Sequence, residues 1–439
     1  MEQRSVRYAQ ILSSLIQAET ISVYQQKDMS KFYQFQDLLV KTFPVLFSKA
    51  EKEDFNGSFV LRIKGKSKDN PILFMNHLDV VEAKGEWAYP PFSGIIADGK
   101  VWGRGTLDTK GGLFAMMQAA EELLSDGYEP ENDIYFMSTC TEEVGGEGGD
   151  IISKAFEDRN LKFSMVLDEG GMVVSDPIAG AKGEYAMIGV GEKGCTDLKF
   201  IAKSSGGHAS TPSKNSPLIR LAKFMVAVEK KNLFKAYMSP TVCEMFSRIS
   251  KSMKGGMRFI LGRSRFFKPV LVKILPKVSN AANAMLKTTI AFTMASGSDG
   301  ANVMPREAFV IGNMRFSHHQ GRDESIRAIT KLAKKYGIET HVQDAGFQSP
   351  LSPHDSEYFK LVERAIQKVY PHVRTTPYIM TGASDCRFMS RVSENCLRFT
   401  PFIIDNKQLN SIHGVDENVN VSSLAPAVDF YKYVITEKK

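Results

Sequence analysis

Three short apolar runs each end in a polar signature, and this restricts the chain to a sheet whose buried strands run mostly the same way. Pro71-Ile72-Leu73-Phe74-Met75 leads into His77-Leu78-Asp79. Residues 133–137 lead into Thr141-Glu142-Glu143-Val144-Gly145-Gly146, and 163–167 into Asp168-Glu169-Gly170-Gly171. Continuous apolar runs of this length read as strands covered on both faces. The loops at the carboxyl ends of such strands are where an open α/β sheet gathers its ligand groups. Between the first two runs, 111–124 carries Leu113, Met116, Met117, Ala120 and Leu124 at helical spacing. From 5 to about 183 the alternation of strand and amphipathic helix is that of βαβ units.

At 439 residues the chain exceeds one ordinary core, so two domains are expected. The texture changes near 184. Residues 185–190 and 196–202 read as paired strands, 218–229 as a helix, 288–294 and 308–316 as strands, 325–335 as a helix and 339–343 as a last strand. The expected fold is therefore α/β: a mostly parallel sheet flanked by helices, with an inserted α+β sandwich acting as a lid. The divisions expected are 1–183 and 347–439 for the main domain and 184–346 for the insert. The first pattern resumes in the last stretch, with a helix over 354–369, the loop Thr381-Gly382-Ala383-Ser384-Asp385, then Asn410-Ser411-Ile412-His413-Gly414 and a closing helix from Val421.

A net charge of +7, with 43% apolar and 24% charged residues, is that of a soluble globular protein. The basic residues are dispersed, which excludes the dense stripe of a nucleic-acid binder. No apolar run is long enough to span a bilayer, so stable membrane insertion is not expected. Five cysteines without paired spacing suggest free thiols. The start, Met1-Glu2-Gln3-Arg4-Ser5, runs into an amphipathic helix with Val6, Ile11, Leu12, Leu15 and Ile16. It has no continuous apolar stretch of the secretory kind, and a cytoplasmic location is expected. One stretch, 234–286, is basic and apolar, with Phe266, Phe267, Val270, Leu271, Ile274 and Leu275 among Arg263, Arg265, Lys268 and Lys273. A segment touching a membrane surface is one reading; the commoner outcome is an extra helical hairpin packed on the insert.

The polar signatures have a shared chemistry. Imidazole and carboxylate from scattered loop ends suit a pair of zinc ions, which need His nitrogen, terminal oxygens and one bridging oxygen. His77 is the expected ligand of one ion, with Asp79 receiving its other ring N–H to fix the tautomer; alone, the triplet would read as a satisfied strand-end pair. Asp108, between Gly105 and Gly111-Gly112, could cap a helix but in this company explains more as the bridging ligand. The glycine pair would admit close approach of backbone to whatever Asp108 holds. Adjacent carboxylates repel unless a cation separates their roles, so Glu143 is read as a ligand and Glu142 as the general base. Asp168 or Glu169 supplies a terminal carboxylate, with Asp168 favoured because it ends its strand. His208, in Gly206-Gly207-His208-Ala209-Ser210-Thr211-Pro212, belongs to the insert and reads as a lid group contacting a developing oxyanion. His318, His319, His341 and His372 lack acidic neighbours in sequence, and His354 sits at a helix start. Gly189-Val190-Gly191-Glu192-Lys193-Gly194 matches a dinucleotide fingerprint, but that motif needs a helix next. The residues after it alternate like a strand, so a hairpin connection is expected.

In order, His-x-Asp, Gly-Arg-Gly-x-x-Asp-x-Lys-Gly-Gly, Glu-Glu-x-Gly-Gly, Asp-Glu-Gly, Gly-Gly-His-x-Ser-x-Pro and a late His-Gly-x-x-Glu resemble the dinuclear zinc peptidases and amidohydrolases. That group includes aminoacylase 1, carboxypeptidase G, carboxypeptidase S and succinyl-diaminopimelate desuccinylase. The wording of Leu167-Asp168-Glu169-Gly170-Gly171 is most similar to the carboxypeptidase S and N-acyl-amino-acid hydrolase branch. The resemblance implies two zinc ions, for which cobalt or manganese could substitute. One would be held by His77, Asp108 and Asp168 or Glu169, the other by Asp108, Glu143 and His413. It implies that Asn302 and Arg315 line the substrate site from the insert and that Arg387 pairs with a substrate carboxylate. In dimeric members the insert mediates dimerisation and the equivalent of His208 reaches into the partner's site. Glu82 stands where the group usually has proline, and Ala383 and Ser384 replace the commoner glycine and threonine. The insert is enlarged between Phe234 and Leu286, which would let a lid cover the site within a monomer, so homodimer and monomer both stay open.

The expected activity is cleavage of a peptide or N-acyl amide bond next to a free carboxylate, by attack of a metal-bound hydroxide with Glu142 as base. Substrates would be dipeptides or N-acyl amino acids. The rival from another class is a metal-binding relative that has lost catalysis and acts through partner binding; an intact Glu142 argues against it.

Overall fold

The computed structural model describes residues 3–344 and 346–438; Met1 and Glu2, which head the amphipathic-helix reading, lie outside them. That reading is realised by α1 (Gln3–Ile16), whose Tyr8, Leu12, Leu15 and Ile16 are buried. After β1 (Ser58–Ile63), the three apolar runs become β2 (Ser67–Met75), β3 (Asn132–Ser138) and β4 (Met165–Asp168), and β5 (Glu184–Glu192) follows. Between β2 and β3 lies α2 (Lys110–Ser125). Its apolar stripe was legible, but Phe114, Ala115 and Ala119 on the other side are buried as well. The helix is packed from more than one side: Phe114 meets Tyr8 of α1 edge-on at 5.5 Å, and the closing helix packs on α2 as well, so little of it is left to water.

The chain then enters a four-stranded sheet made of β6 (Gly194–Lys203), β7 (Thr289–Ser296), β8 (Glu307–Phe316) and β9 (Ile338–Val342), ordered β7-β8-β6-β9 and antiparallel. Two helices, α3 (Pro217–Lys230) and α8 (Gly321–Lys334), cover it around Phe200, Phe224, Leu221, Met314 and Ile329. Inserted between α3 and β7 are α4 (Pro240–Ser250), α5 (Gly255–Gly262), α6 (Ser264–Val278) and α7 (Asn280–Leu286). After α9 (Glu357–Val369), β10 (Arg374–Met380) and β11 (Cys396–Arg398) rejoin the first sheet, and α10 (Val421–Glu437) closes the chain.

In the large sheet the centre runs β1-β3-β2-β4-β11-β5, with β10 also on β5. The β3/β2, β2/β4, β4/β11 and β10/β5 pairs are parallel. Two features differ from the sequence reading. The hairpin expected of 185–190 with 196–202 does not form. Strand β5 pairs with β10, β11 and Val173–Ser175 in the large sheet, while β6 pairs with β8 and β9 in the small one. Gly189 to Gly194 is thus a crossing between sheets. The two strands differ in pattern. Glu184–Glu192 is buried almost throughout, as in a sheet covered on both faces, while Gly194–Lys203 alternates, as in a sheet with one face in water. That contrast is the signal that they join different sheets. Residue 184, where the insert was expected to begin, opens a strand of the large sheet. The second difference concerns the extra helices. Their core, with Met238, Val242, Phe246, Ile249, Leu261, Leu271 and Leu286, closes on Tyr185 and Ile379 of the large sheet, not on the small one.

Candidate active site

The carboxyl ends of the parallel strands converge as expected. His77 follows β2, and its Nε2 lies 2.9 Å from Asp108 Oδ1. The other oxygen of Asp108, Oδ2, is 3.0 Å from His413 Nε2, and His413 Nε2 is also 3.0 Å from Glu143 Oε2. Asp108 therefore stands between two imidazoles with one oxygen toward each. Ligand atoms of His77, Asp108 and Glu143 lie within 4.8 Å of one another. The helix-cap alternative for Asp108 is not realised: Thr109 is the residue preceding α2, and the Asp108 carboxylate meets no amide of that helix. The peptide bond between Asp108 and Thr109 is cis. The glycine pair at the start of α2 serves packing. A Cβ on Gly111 would come within 2.2 Å of the Thr106 carbonyl, and one on Gly112 within 2.3 Å of Asn76 Oδ1.

Asp79 differs in detail from its expected role. His77 Nδ1 sits 2.9 Å from the main-chain carbonyl of Asp79 and 3.5 Å from its carboxylate. That carboxylate accepts from Ser22 Oγ at 2.7 Å and from the amides of Glu142 and Glu143 at 3.3 and 3.1 Å. A backbone carbonyl fixes the ring, and the side chain anchors the short helical turn Glu142–Val144. Side-chain alternation placed the two residues on one side but could not show which oxygen of Asp79 is the nearer.

Asp168 and Glu169 part company. Asp168 accepts a hydrogen bond from the Cys386 amide at 3.0 Å, and burial pushes its carboxyl up to about 6. Among the described residues, no hydrogen bond or ion pair engages the Glu169 carboxyl. Burial, with the charges of Asp168 and Asp108 added, raises it well above the usual range. Burial likewise raises Glu142 and Glu143, and the Glu142 carboxyl also has no partner among the described residues. Opposing this, Asp108 and Glu143 hold the His413 imidazolium up to about 10. For His77, burial disfavours the charged ring, but Asp108 and Asp79 outweigh it and raise the group well above its usual value.

Two residues that sequence reading left without a role complete the arrangement. Asp385 accepts from Thr139 Oγ1 at 2.7 Å, and its Oδ1 is buried with no donor among the described residues. With His77, Glu142 and Asp168 it lines one small, tightly packed cavity. It follows β10 as His77 follows β2, so the rule that found the other signatures applies to it too. The approach is tight: Gly146 has φ +74°, and a Cβ there would lie 2.3 Å from Asp385 Oδ1. Glu417 is fully buried. It accepts from the amides of Gly105, Leu107 and Asp108 at 3.1, 2.8 and 3.1 Å and from Arg104 at 2.7 Å. Arg104 in turn donates to the Gly414 carbonyl at 2.6 Å. Both residues stand inside recognised motifs, and the signal missed was their charge in buried surroundings, which demands a partner.

The substrate-side residues are less gathered. Arg387 donates to the carbonyls of Ser384 and Gly145 at 2.8 and 2.9 Å and lies over the Phe388 ring. His208 is exposed, with Nδ1 against Ser210 Oγ at 2.7 Å. Its neighbour across the Gly207–His208 ladder is Val303, next to Asn302. Arg315 lies on β8, bonded to Asn313 Oδ1 at 3.0 Å. No hydrogen bond or ion pair among the described residues joins these three to the carboxylate cluster. Two histidines set aside in sequence do meet acids at the surface, His372 with Glu184 and His341 with Glu339. All five cysteines are free.

The donor set suits divalent cations: imidazole nitrogen and carboxylate oxygen in reach of one another, with carboxylates outnumbering the cations that could neutralise them. Glu143 Oε1, buried without a donor, is a second sign of an acceptor awaiting a cation.

Residues 73–437 match the family described as Peptidase family M20/M25/M40. A Dictyostelium discoideum protein named probable carboxypeptidase S-like 2 is 30% identical over 99% of this chain and 86% of its own length. The human N-fatty-acyl-amino acid synthase/hydrolase PM20D1 is 29% identical over 98% of this chain and 87% of its own. Among solved structures, an M20 family metallo-carboxypeptidase from Sulfolobus solfataricus superposes with a TM-score of 0.72 at 18% identity, covering 99% of both chains.

Proposed function

We propose, from the premise that this chain belongs to Peptidase family M20/M25/M40 and is a metal-dependent hydrolase, that it cuts a peptide or N-acyl amide bond next to a free carboxylate. The observation that carries the reading is Asp108 held between His77 and His413, with Glu143 on the second imidazole. That arrangement supports a bridging role for Asp108 between two zinc ions. His77 would serve one, His413 and Glu143 the other. For the remaining terminal position Asp168 is the better candidate than Glu169, because it lines the cavity with His77 and the Cys386 amide engages only one of its oxygens.

Bound there, zinc supplies Lewis acidity, polarising a carbonyl and making water acidic near neutral pH. Glu142 takes the proton of the attacking water and delivers it to the leaving nitrogen. Its unpartnered, burial-raised carboxyl supports that exchange, since a base that must also act as an acid works best near the operating pH. Asp79 positions the turn that carries Glu142, and Asp385 confines the same cavity. Arg387 would meet the substrate carboxylate as a planar fork. His208, Asn302 and Arg315 would act from the insert, which we take to begin near Gly194. Because His208 stands free of the cluster, it would join the site by movement of the insert or across a homodimer. Free thiols favour a reducing compartment such as the cytoplasm.

The relatives' names favour a carboxypeptidase or an N-acyl-amino-acid hydrolase. Purified protein supplied with zinc or cobalt should hydrolyse members of a panel of dipeptides and N-acyl amino acids. Amidated analogues lacking the free carboxylate should be poor substrates. Failure on the whole panel with metal bound would overturn the reading.

A further inference from the structure

Between 251 and 287 the chain has nine Lys and Arg and no Asp or Glu. This is the stretch that forms α5 and α6, and its outer side is apolar. Phe266, Val270 and Ile274 follow one another at four-residue steps on α6 and are 80%, 51% and 50% exposed. At that spacing they form one stripe, with Lys273 and Lys277 beside it. On α5, Met257 and Phe259 are exposed too. The two helices present a continuous surface, because Phe267 makes edge contacts with Phe259 and Phe266 at 5.8 and 5.1 Å. Arg263 lies over the Phe259 ring at 4.2 Å. Among the described residues, Arg258, Arg263, Lys273 and Lys277 form no ion pair; Arg265 has only Glu244, at 3.9 Å. The inner side is fixed, with Leu261 and Leu271 buried in the bundle on the large sheet, so the outer side is a preformed surface.

We propose that the outer face of α5 and α6 docks on the surface of an anionic phospholipid bilayer. Aromatic and aliphatic groups would enter the headgroup boundary while the surrounding Lys and Arg meet lipid phosphates. Charge decides between occupants. A second copy would bring the same acid-free, basic face against itself and be repelled, whereas an anionic surface complements it. No described helix is long and apolar enough to cross a membrane, so the contact lies in the interface plane. The inference stands apart from the hydrolytic reading, since no residue of the carboxylate cluster takes part.

The test is cosedimentation of the full chain with vesicles of phosphatidylcholine alone and of phosphatidylcholine mixed with phosphatidylglycerol. The protein should pellet with the mixed vesicles only and be released by added salt. Lys273→Gln and Lys277→Gln should each weaken partitioning about fivefold, the equivalent of about 1 kcal/mol. Phe266→Ser with Ile274→Ser should abolish pelleting while leaving the thermal melt unchanged, because both side chains are exposed. No pelleting with either vesicle, or equal pelleting with both, overturns the proposal. So does a concentration-dependent dimer, without vesicle binding, that the Phe266→Ser and Ile274→Ser variant dissolves; a second copy would then be what covers the face.

Discussion

The guanidinium of Arg104 donates to the carboxylate of Glu417 at 2.7 Å with both side chains buried, and each partner holds the other's ligand loop. Glu417, four residues after His413, receives the amides around Asp108, while Arg104, four residues before Asp108, grips the carbonyl that follows His413. The two segments that bring Asp108 and His413 together are thus locked by a reciprocal clasp rather than by the ligands alone.

Glu417→Ala should break that clasp and leave Arg104 as an uncompensated buried charge, at a cost of about 3–5 kcal/mol. If the fold survives, metal affinity should drop about 10- to 100-fold, as for other partners that orient ligands. Denaturant unfolding and zinc titration would register the two effects. A variant unchanged in both would show the clasp to be incidental.

His413 gives a pH dependence with a definite sign. Its folded value, up to about 10, lies above the ordinary 6.5. The stabilisation is therefore complete below 6.5 and is lost as pH rises through about 10. Metal-free protein should accordingly melt at lower temperature as pH is raised across that window. Zinc requires the neutral ring, so its binding should expel a proton at pH 7 and tighten as pH rises. Calorimetry in buffers of differing ionisation enthalpy measures this; zinc uptake without proton release would contradict it.

The two candidates for the terminal ligand separate by stoichiometry. Asp168→Ala should reduce tightly bound zinc from two equivalents toward one, because Asp168 lines the cavity with His77. Glu169→Gln should keep near two. The reverse result in metal analysis would make Glu169 the ligand.

Much of this was written into the sequence. Apolar run followed by polar signature located His77, Glu142, Glu143 and Asp168, because a parallel sheet forces strand ends and loops into one rim. The same rule reaches Asp385 after β10. What periodicity cannot express is partnership. Nothing in the spacing joins Arg104 to Glu417, separated by 313 positions. Nor does the run Glu192-Lys193-Gly194 by itself disclose that the chain changes sheets there; the contrast between the flanking strands does. The basic, apolar stretch was visible as composition, but its attachment to Tyr185 and Ile379 depends on where β10 returns.

The crossing makes its own prediction. Glu192 accepts from Arg398 Nε at 2.9 Å and from Ser384 N and Oγ at 3.1 and 3.0 Å, all buried. Glu192→Ala should cost about 3–5 kcal/mol by orphaning Arg398. Because Ser384 belongs to the loop that leads into the short helix bearing Arg387, KM should rise more than kcat falls. Steady-state kinetics beside a denaturation curve would show it, and a rise in neither would remove Glu192 from the account.

The most direct test is Glu142→Ala, with metal content and turnover measured on the same sample. Two zinc ions should remain bound while kcat falls by about a hundredfold to ten-thousandfold, the range for a lost general base. Turnover close to the unaltered protein's, with both ions in place, would contradict the claim that Glu142 carries the proton.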